Sequence, residues 1–337
     1  MFPRLLVAML WSLFAASASF AQSCGNLPYT LTNGTTADAS QVMANLNYVL
    51  SCANKLADAA EGRLTLATGT PVTTTDQTAK TALYYTPYKG NRIALYDGSS
   101  SWNTYSFSEL SIAVPSTANQ MYDIFVYANS GAATLELIAW TDATTRATPL
   151  TTQDGRLVLS GATTRRYVGS FSTTGTSGQT EDSLTKRYVW NYYNRVVRPL
   201  AALEGTSTWT YTTAAFRQAN ANAANQIDFV IGVSEDAVVA SVSASARNTA
   251  GPGATDMVVG IGLDNTSSNS ATVNGSTVNA GASVRTPVTS QYKGFPGIGR
   301  HYLAWLEFSD ATGSTLWFGT GGAYTRYQAG IIGEIWG

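Results

Sequence analysis

The stretch "KRYVWNYYNRVVRPL" (residues 186–200) gathers four basic residues and four aromatics into one short run. It could be a nucleic-acid grip, the wall of a pocket, or a packed strand. In an extended chain successive side chains alternate between faces. Tyr188, Trp190 and Tyr192 then share one face, and Val189, Tyr193 and Val197 the other. Both faces are apolar, the pattern of a strand covered on both sides or lying near a subunit contact. Lys186, Arg187, Arg195 and Arg198 sit toward the ends, where they are expected to reach water. A nucleic-acid surface needs a basic field built from several clusters, and only Arg165-Arg166 is comparable in a chain of net charge −1. The run reads as a strand, ended by Pro199 and followed by a connector, "LAALEGTS" (200–207).

The rest of the 337 residues agrees with a β protein. Charged residues make up only 12% of the chain, about half the usual share, so Ser, Thr, Asn and Gln must make the surface polar. An apolar share of 44% excludes a highly charged disordered chain. "MYDIFVYANSGAATLELIAW" (121–140) reads as a hairpin turning at Asn129-Ser130-Gly131. "TTQDGRLVLSGATTRRYVGSFSTTG" (151–175) turns at Asp154-Gly155 and again at Ser160-Gly161. Further turns fall at Lys89-Gly90-Asn91 and Asp97-Gly98. Beyond residue 208, "QIDFVIGV", "VVASVSASA", "MVVGIGL", "SATVNGSTVNAGASV", "HYLAWLEF" and "STLWFG" are short strands at the spacing of a jelly-roll-like sandwich. "NTAGPGATD" (248–256) and "QYKGFPGIGRHY" (291–302) read as long loops, where binding residues tend to sit.

One segment reads as a helix, residues 35–62, with Thr36 or Asp38 as cap and Gly62 as its close. Ala39, Val42, Leu46, Val49, Ala53 and Leu56 recur at alternating spacings of three and four, which reads as the seam of a short coiled coil through which copies associate, the alternative being a helix laid on a β domain. So short a seam needs support from neighbouring domains to hold copies together.

The first residues read as an export signal: Arg4, an apolar run from Leu5 to Phe14, and small residues at Ser19 and Ala21 before a mature start near Gln22. That run is too short for a comfortable membrane span, and no later segment could cross a bilayer. In an oxidising compartment Cys24 and Cys52 would pair, within one chain or between chains. The expected organisation is a signal peptide (1–21), a helical segment (22–62) and two antiparallel β domains (63–200 and 201–337). The fold class is mainly β: a short coiled-coil-like helix, then sandwich- or jelly-roll-like domains.

The stretches "TPYKGNRIALYDGSS" (86–100), "YDIFVYANSGAATLEL" (122–137), "QDGRLVLSGATTRRYVGSF" (153–171) and "EDSLTKRYVWNYYNRV" (181–196) resemble a β module of tailed-bacteriophage fibre and spike proteins. "LPYTLTNGTTADASQVMANLNYVLSCAN" (27–54) is similar to the helical lead-in of such virion proteins, and "AGIIGEIWG" (329–337) to the close of appendage chains. The resemblance covers roughly half the chain and its motifs are structural. It implies a virion appendage, commonly a homotrimer, in contact with other virion proteins and with a bacterial surface polysaccharide or receptor through its C-terminal domain. It implies no catalytic residue. An export signal departs from it, since such proteins usually assemble in the cytoplasm. Either a secreted surface binder descends from a prophage gene, or the virion protein uses the export route.

Reactive chemistry is sparse. His301 is the only histidine and no G-x-S-x-G elbow, P-loop or dinucleotide fingerprint is present. Two cysteines and one histidine make no zinc site, so neither metal nor cofactor is expected. Sugar cleavage needs two carboxylates across a cleft. Glu181-Asp182 and Glu235-Asp236 diverge on a strand, and Asp264, Glu307 and Asp310 meet only if the fold brings them together. Sugar binding needs aromatic faces and polar donors; Tyr292, Phe295, Arg300, Tyr302, Tyr324 and Tyr327 are the candidates. The expected role is host attachment by binding; the alternatives are a capsule-degrading spike enzyme and a purely structural virion or surface component.

Overall fold

The computed structural model describes residues 26–32, 34, 36, 38–56, 59–253, 255–321 and 328–337, in two compact units, 1–58 and 59–337. The expected signal peptide, Cys24, Tyr324 and Tyr327 lie outside the described residues.

In the first unit the helix runs from Ala39 to Leu56. Asp38 caps it: its carboxylate accepts from the Ser40 N–H (2.8 Å) and the Ser40 hydroxyl (2.6 Å), which holds that carboxyl below its ordinary value. Asn45 is buried and ties down the preceding segment, accepting from Tyr29 N–H (3.0 Å) and donating to Tyr29 O (2.8 Å). Along the seam Ala39 is exposed, Val42 is half-buried, and Leu46 and Val49 are exposed beside Met43 and Leu50. The side chains of Ala53 and Leu56 lie outside the described set. Gly62 does not close this helix. It opens the Gly62–Thr65 strand, where a Cβ would sit 2.4 Å from the Tyr85 ring, so the close approach of that ring explains the glycine.

Among its described residues the second unit is β, apart from one turn of 3-10 helix at Ala219–Ala221. Its described strands form sheets of three, two, six, eight and seven. The expected hairpins are present. Met121–Asn129 pairs with Ala132–Ala139 through Asn129 and Ala132, with Ser130 and Gly131 both at positive φ, the two-residue turn that matches strand twist. Asp154-Gly155 turns in the same way between Leu150–Gln153 and Arg156–Leu159.

The 186–200 run is not one strand. It divides into Lys186–Arg187, Val189–Asn191 and the start of Val197–Leu203, with Asn194 at φ 55 between the last two. The two-faced reading nevertheless holds for its aromatic part. Tyr188, Trp190 and Tyr192 pack with Phe125 and Tyr167, while Val189 and Tyr193 pack with Leu64, Val168 and Phe171. Pro199 sits inside Val197–Leu203, which pairs with Gly330–Trp336 along its whole length. That strand is the sheet's edge, the place where a missing N–H is tolerated. The supposed connector is therefore partly strand, and the expected domain boundary at 200/201 falls within it. The expected water contact of the basic residues fails for Arg187 and Arg198, which are buried against Asp182. Arg166 is buried too and donates to Ala59 O and Ala94 O.

The eight-stranded and seven-stranded sheets turn their inner faces into one core. Ile227, Phe229, Ile261, Leu303 and Trp305 come from the first; Val238, Val242, Ile331 and Ile335 come from the second. The eight-stranded sheet also recruits Gln77–Lys80, Thr180–Asp182 and Lys186–Arg187 from the middle of the chain. Lys186–Arg187 runs parallel to Gln226–Ile231, an exception to the antiparallel expectation. "QYKGFPGIGRHY" is mostly strand, with only 295–298 between Thr286–Gly294 and Gly299–Ser309. No described helix is long and apolar enough to cross a membrane.

Candidate functional site: a polar cleft over the eight-stranded sheet

Alternation builds the site. In Gln226–Ile231 the residues Ile227, Phe229 and Ile231 enter the core, which leaves Gln226 and Asp228 on the outer face. In Gly299–Ser309 the side chains of Leu303 and Trp305 point inward, and Arg300 and Tyr302 lie on the other face. Register then aligns distant residues. Lys186 pairs with Asp228, and Asp228 with Tyr302. Asp264 follows on the far side, its N–H donating to Tyr302 O (3.0 Å) and its carboxylate accepting from Tyr302 N–H (2.9 Å). Lys186, Asp228, Tyr302 and Asp264 thus form one row across neighbouring strands.

A cleft of ≈ 620 Å³ lies over this row. One wall is the 142–145 turn, held by Asp142, whose carboxylate accepts from Thr144 N–H (2.8 Å) and Thr145 N–H (2.7 Å). Ala143 O accepts from Arg300 N–H at 2.9 Å. The loop comes so close because residue 299 is glycine: at φ +134 its Cβ would stand 2.6 Å from Ala143 O. Asn119 completes that side and accepts from Arg300 Nη1 at 3.2 Å.

On the floor, Asp228 accepts from the Tyr188 hydroxyl (3.1 Å) and from Gln226 Nε2 (2.8 Å). Burial pushes its carboxyl above the ordinary value, with the two hydrogen bonds acting in the opposite sense. Burial and the nearby Asp228 push the Tyr188 hydroxyl up. The Arg300 guanidinium lies over the Tyr188 ring, 5.9 Å from its centroid. At the other end His301 Nδ1 donates to Asp264 Oδ2 at 2.7 Å. Its Nε2 is buried and has no hydrogen-bond partner among the described residues. Together the cleft offers cationic donors at Arg300 and Lys186, acceptors at Asp228, Asp264 and Asn119, and aromatic surface at Tyr302 and Tyr188.

Of the six binding candidates read from the sequence, Arg300 and Tyr302 line this cleft. Tyr292 is buried in the core cluster, with its hydroxyl turned toward Gly294. Phe295 is exposed on the 295–298 connection and is not among the cleft's lining residues. Asp264 lines the cleft, whereas Glu307 is fully buried and serves the core, accepting from Trp209 Nε1 (2.5 Å), Arg217 Nε (2.8 Å) and Asn220 N–H (3.1 Å). Glu235 and Asp236 pair with Arg195. Sequence reasoning missed Asp228, Gln226, Tyr188 and Lys186. A polar residue at an outward position of "QIDFVIGV" was the one available signal.

No family model matches the chain, and no curated protein is significantly similar to it. Among solved structures, the infectious bursal disease virus Gx strain aligns over 77% of this chain and 68% of its own, at 10% identity and a TM-score of 0.19. A Bacillus thuringiensis Cry1Da tryptic core variant aligns over 77% of this chain and 48% of its own, at 8% identity and a TM-score of 0.20. Likenesses at this level carry no functional inference.

Proposed function

We propose that the chain is a secreted or virion-borne surface protein that binds a bacterial surface saccharide in the cleft around Tyr302. The observation that carries this reading is the Lys186–Asp228–Tyr302–Asp264 row, which sets one aromatic ring between charged side chains beneath a cleft of sugar-binding size. Sugar hydroxyls need paired donors and acceptors, and pyranose faces need an aromatic ring; the row and its neighbours supply both. The role is attachment by binding, without cofactor or metal. The exposed apolar stripe of Leu46, Val49 and Leu50 supports association of copies, as a trimer, through the helix. Several copies would multiply a weak single-site affinity. A Cys24–Cys52 bridge and use of the export signal belong to the same proposal.

The test is an array of purified bacterial surface polysaccharides probed with the mature protein and with Tyr302→Ala. Binding by the first and at least a tenfold loss by the second supports the reading. Absence of binding across the array, or equal binding by both proteins, overturns it.

One observation favours a second reading, hydrolysis of the bound sugar. Asp228, on one neighbouring strand, and Asp264, just past the end of the other, flank Tyr302, with their Cα atoms about 10 Å apart, two strand spacings. Carboxyls of inverting glycosidases are about 6.5–9.5 Å apart, and burial raises one of this pair. New reducing ends from a bound polysaccharide, absent with Asp228→Asn, would support hydrolysis; binding without turnover would exclude it.

A further inference from the structure

Away from the cleft, three arginines are buried together: Arg63, Arg187 and Arg198 are 3%, 6% and 5% exposed. One carboxylate serves them. Asp182 Oδ1 accepts from Arg187 Nη1 at 3.2 Å, and Asp182 Oδ2 from Arg198 Nη2 at 2.7 Å. Among the described residues Arg63 has no Asp or Glu partner; it donates to three backbone oxygens, Pro71 O (3.0 Å), Asn194 O (2.6 Å) and Gly337 O (2.6 Å). Three positive charges therefore face one negative charge in a buried setting. Counting a terminal carboxylate at Gly337 as a second negative charge still leaves an excess of one. Uncompensated buried charge is costly.

A small cavity of ≈ 10 Å³ opens between two of these arginines, lined by Arg63, Arg198, Asp182, Asn191 and Thr73 among others. That is room for about one water-sized sphere. A guanidinium carries five N–H donors. Arg63 uses three on the oxygens just named, and Arg198 uses three on Thr73 O, Thr73 Oγ1 and Asp182, which leaves two on each. Burial first, and then repulsion from Arg198, push the Arg63 guanidinium down to about 10. Burial pushes Arg198 down as well, with Arg187 acting in the same direction. A water molecule in the cavity would take up the spare donors and leave the charge uncorrected. A monovalent anion would do both, and the cavity is too small for phosphate or sulfate.

We propose that the cavity between Arg63 and Arg198 is a binding site for one halide-sized anion, chloride by class. The site bridges the start of the β unit (Arg63, on Gly62–Thr65) to its edge strand (Arg198, on Val197–Leu203). The anion would act as a structural counterion.

The test uses the mature protein crystallised with sodium bromide in place of chloride, with anomalous diffraction at the bromine edge. The expected result is a peak in the cavity, within hydrogen-bonding distance of Arg63 and Arg198. A cavity that holds only water, with no anomalous signal, overturns the proposal. Thermal unfolding in solution is the second readout, comparing sodium chloride with sodium gluconate at matched ionic strength. Raising chloride from 1 to 100 mM should lift the Tm by about 2–4 °C, and Arg63→Met should abolish the lift. A peak at molar bromide with no chloride dependence of the Tm means an adventitious ion only, and also overturns it. If Arg63→Met fails to fold, the bromide map and the wild-type salt dependence decide the matter.

Discussion

Replacing Asp182 with asparagine tests how charge is held inside this fold. The side chain keeps its size and one acceptor oxygen, so packing is preserved while the negative charge is removed. Arg187 at 3.2 Å and Arg198 at 2.7 Å then lose their shared counterion, in a place where both guanidinia are nine-tenths covered. Removing one partner of a buried ion pair costs about 3–5 kcal/mol. The Asp182 side chain keeps 12% of its exposure, and some water screening puts the expectation near the lower end, about 3 kcal/mol. Equilibrium unfolding in urea, with the m-value compared between the two proteins, is the assay. A midpoint shift equivalent to less than about 1 kcal/mol at unchanged m would refute the reasoning. It would mean that solvent already neutralises these arginines, and the argument for a buried anion would fall with it.

Other outcomes follow from the cleft and the helix. Burial raises the Asp228 carboxyl above its ordinary value of 3.8, so the folded protein binds that proton more tightly than the unfolded chain. Its contribution to stability therefore falls as pH rises through the window from 3.8 to the folded value. Asp228→Asn should gain stability relative to wild type across that window and then level off, as read from Tm between pH 3 and 7; a difference independent of pH would contradict this. Gly299→Ala should displace the 142–145 turn, cost about 1–3 kcal/mol in thermal unfolding, and weaken saccharide binding more than Phe295→Ala does. Leu46→Glu should convert an associated species to single chains in native mass determination without changing the β circular-dichroism signal; an unchanged mass would remove the helix from the assembly.

What could be read in the sequence was what depends on neighbours along the chain. The alternation of Tyr188, Trp190 and Tyr192 against Val189 and Tyr193 gave the right partition between two cores. The Asn129-Ser130-Gly131 and Asp154-Gly155 turns were legible because two-residue hairpins demand positive φ. Pro199 misled because its effect depends on the strand's place in the sheet, and an edge position tolerates it. Gly62 misled because its reason is the Tyr85 ring, a residue far along the chain. Arg198 looked like a solvent-facing end because its partner Asp182 lies 16 residues away, whereas Arg187 meets Asp182 across a short hairpin whose turn was not read from the sequence. The cleft was half legible for the same cause. Arg300 and Tyr302 stand in a glycine-rich stretch that invites suspicion. Asp228 becomes their neighbour only through antiparallel register, and Lys186 only through a parallel pairing that no sequence pattern announces.

The measurement that bears most directly on the account is a crystal structure of the protein soaked with the best-bound oligosaccharide from the array. The account predicts a sugar ring against Tyr302, with hydroxyls paired to Asp228, Asp264 or Arg300. A sugar seated elsewhere on the surface, with the cleft holding only solvent, would contradict it.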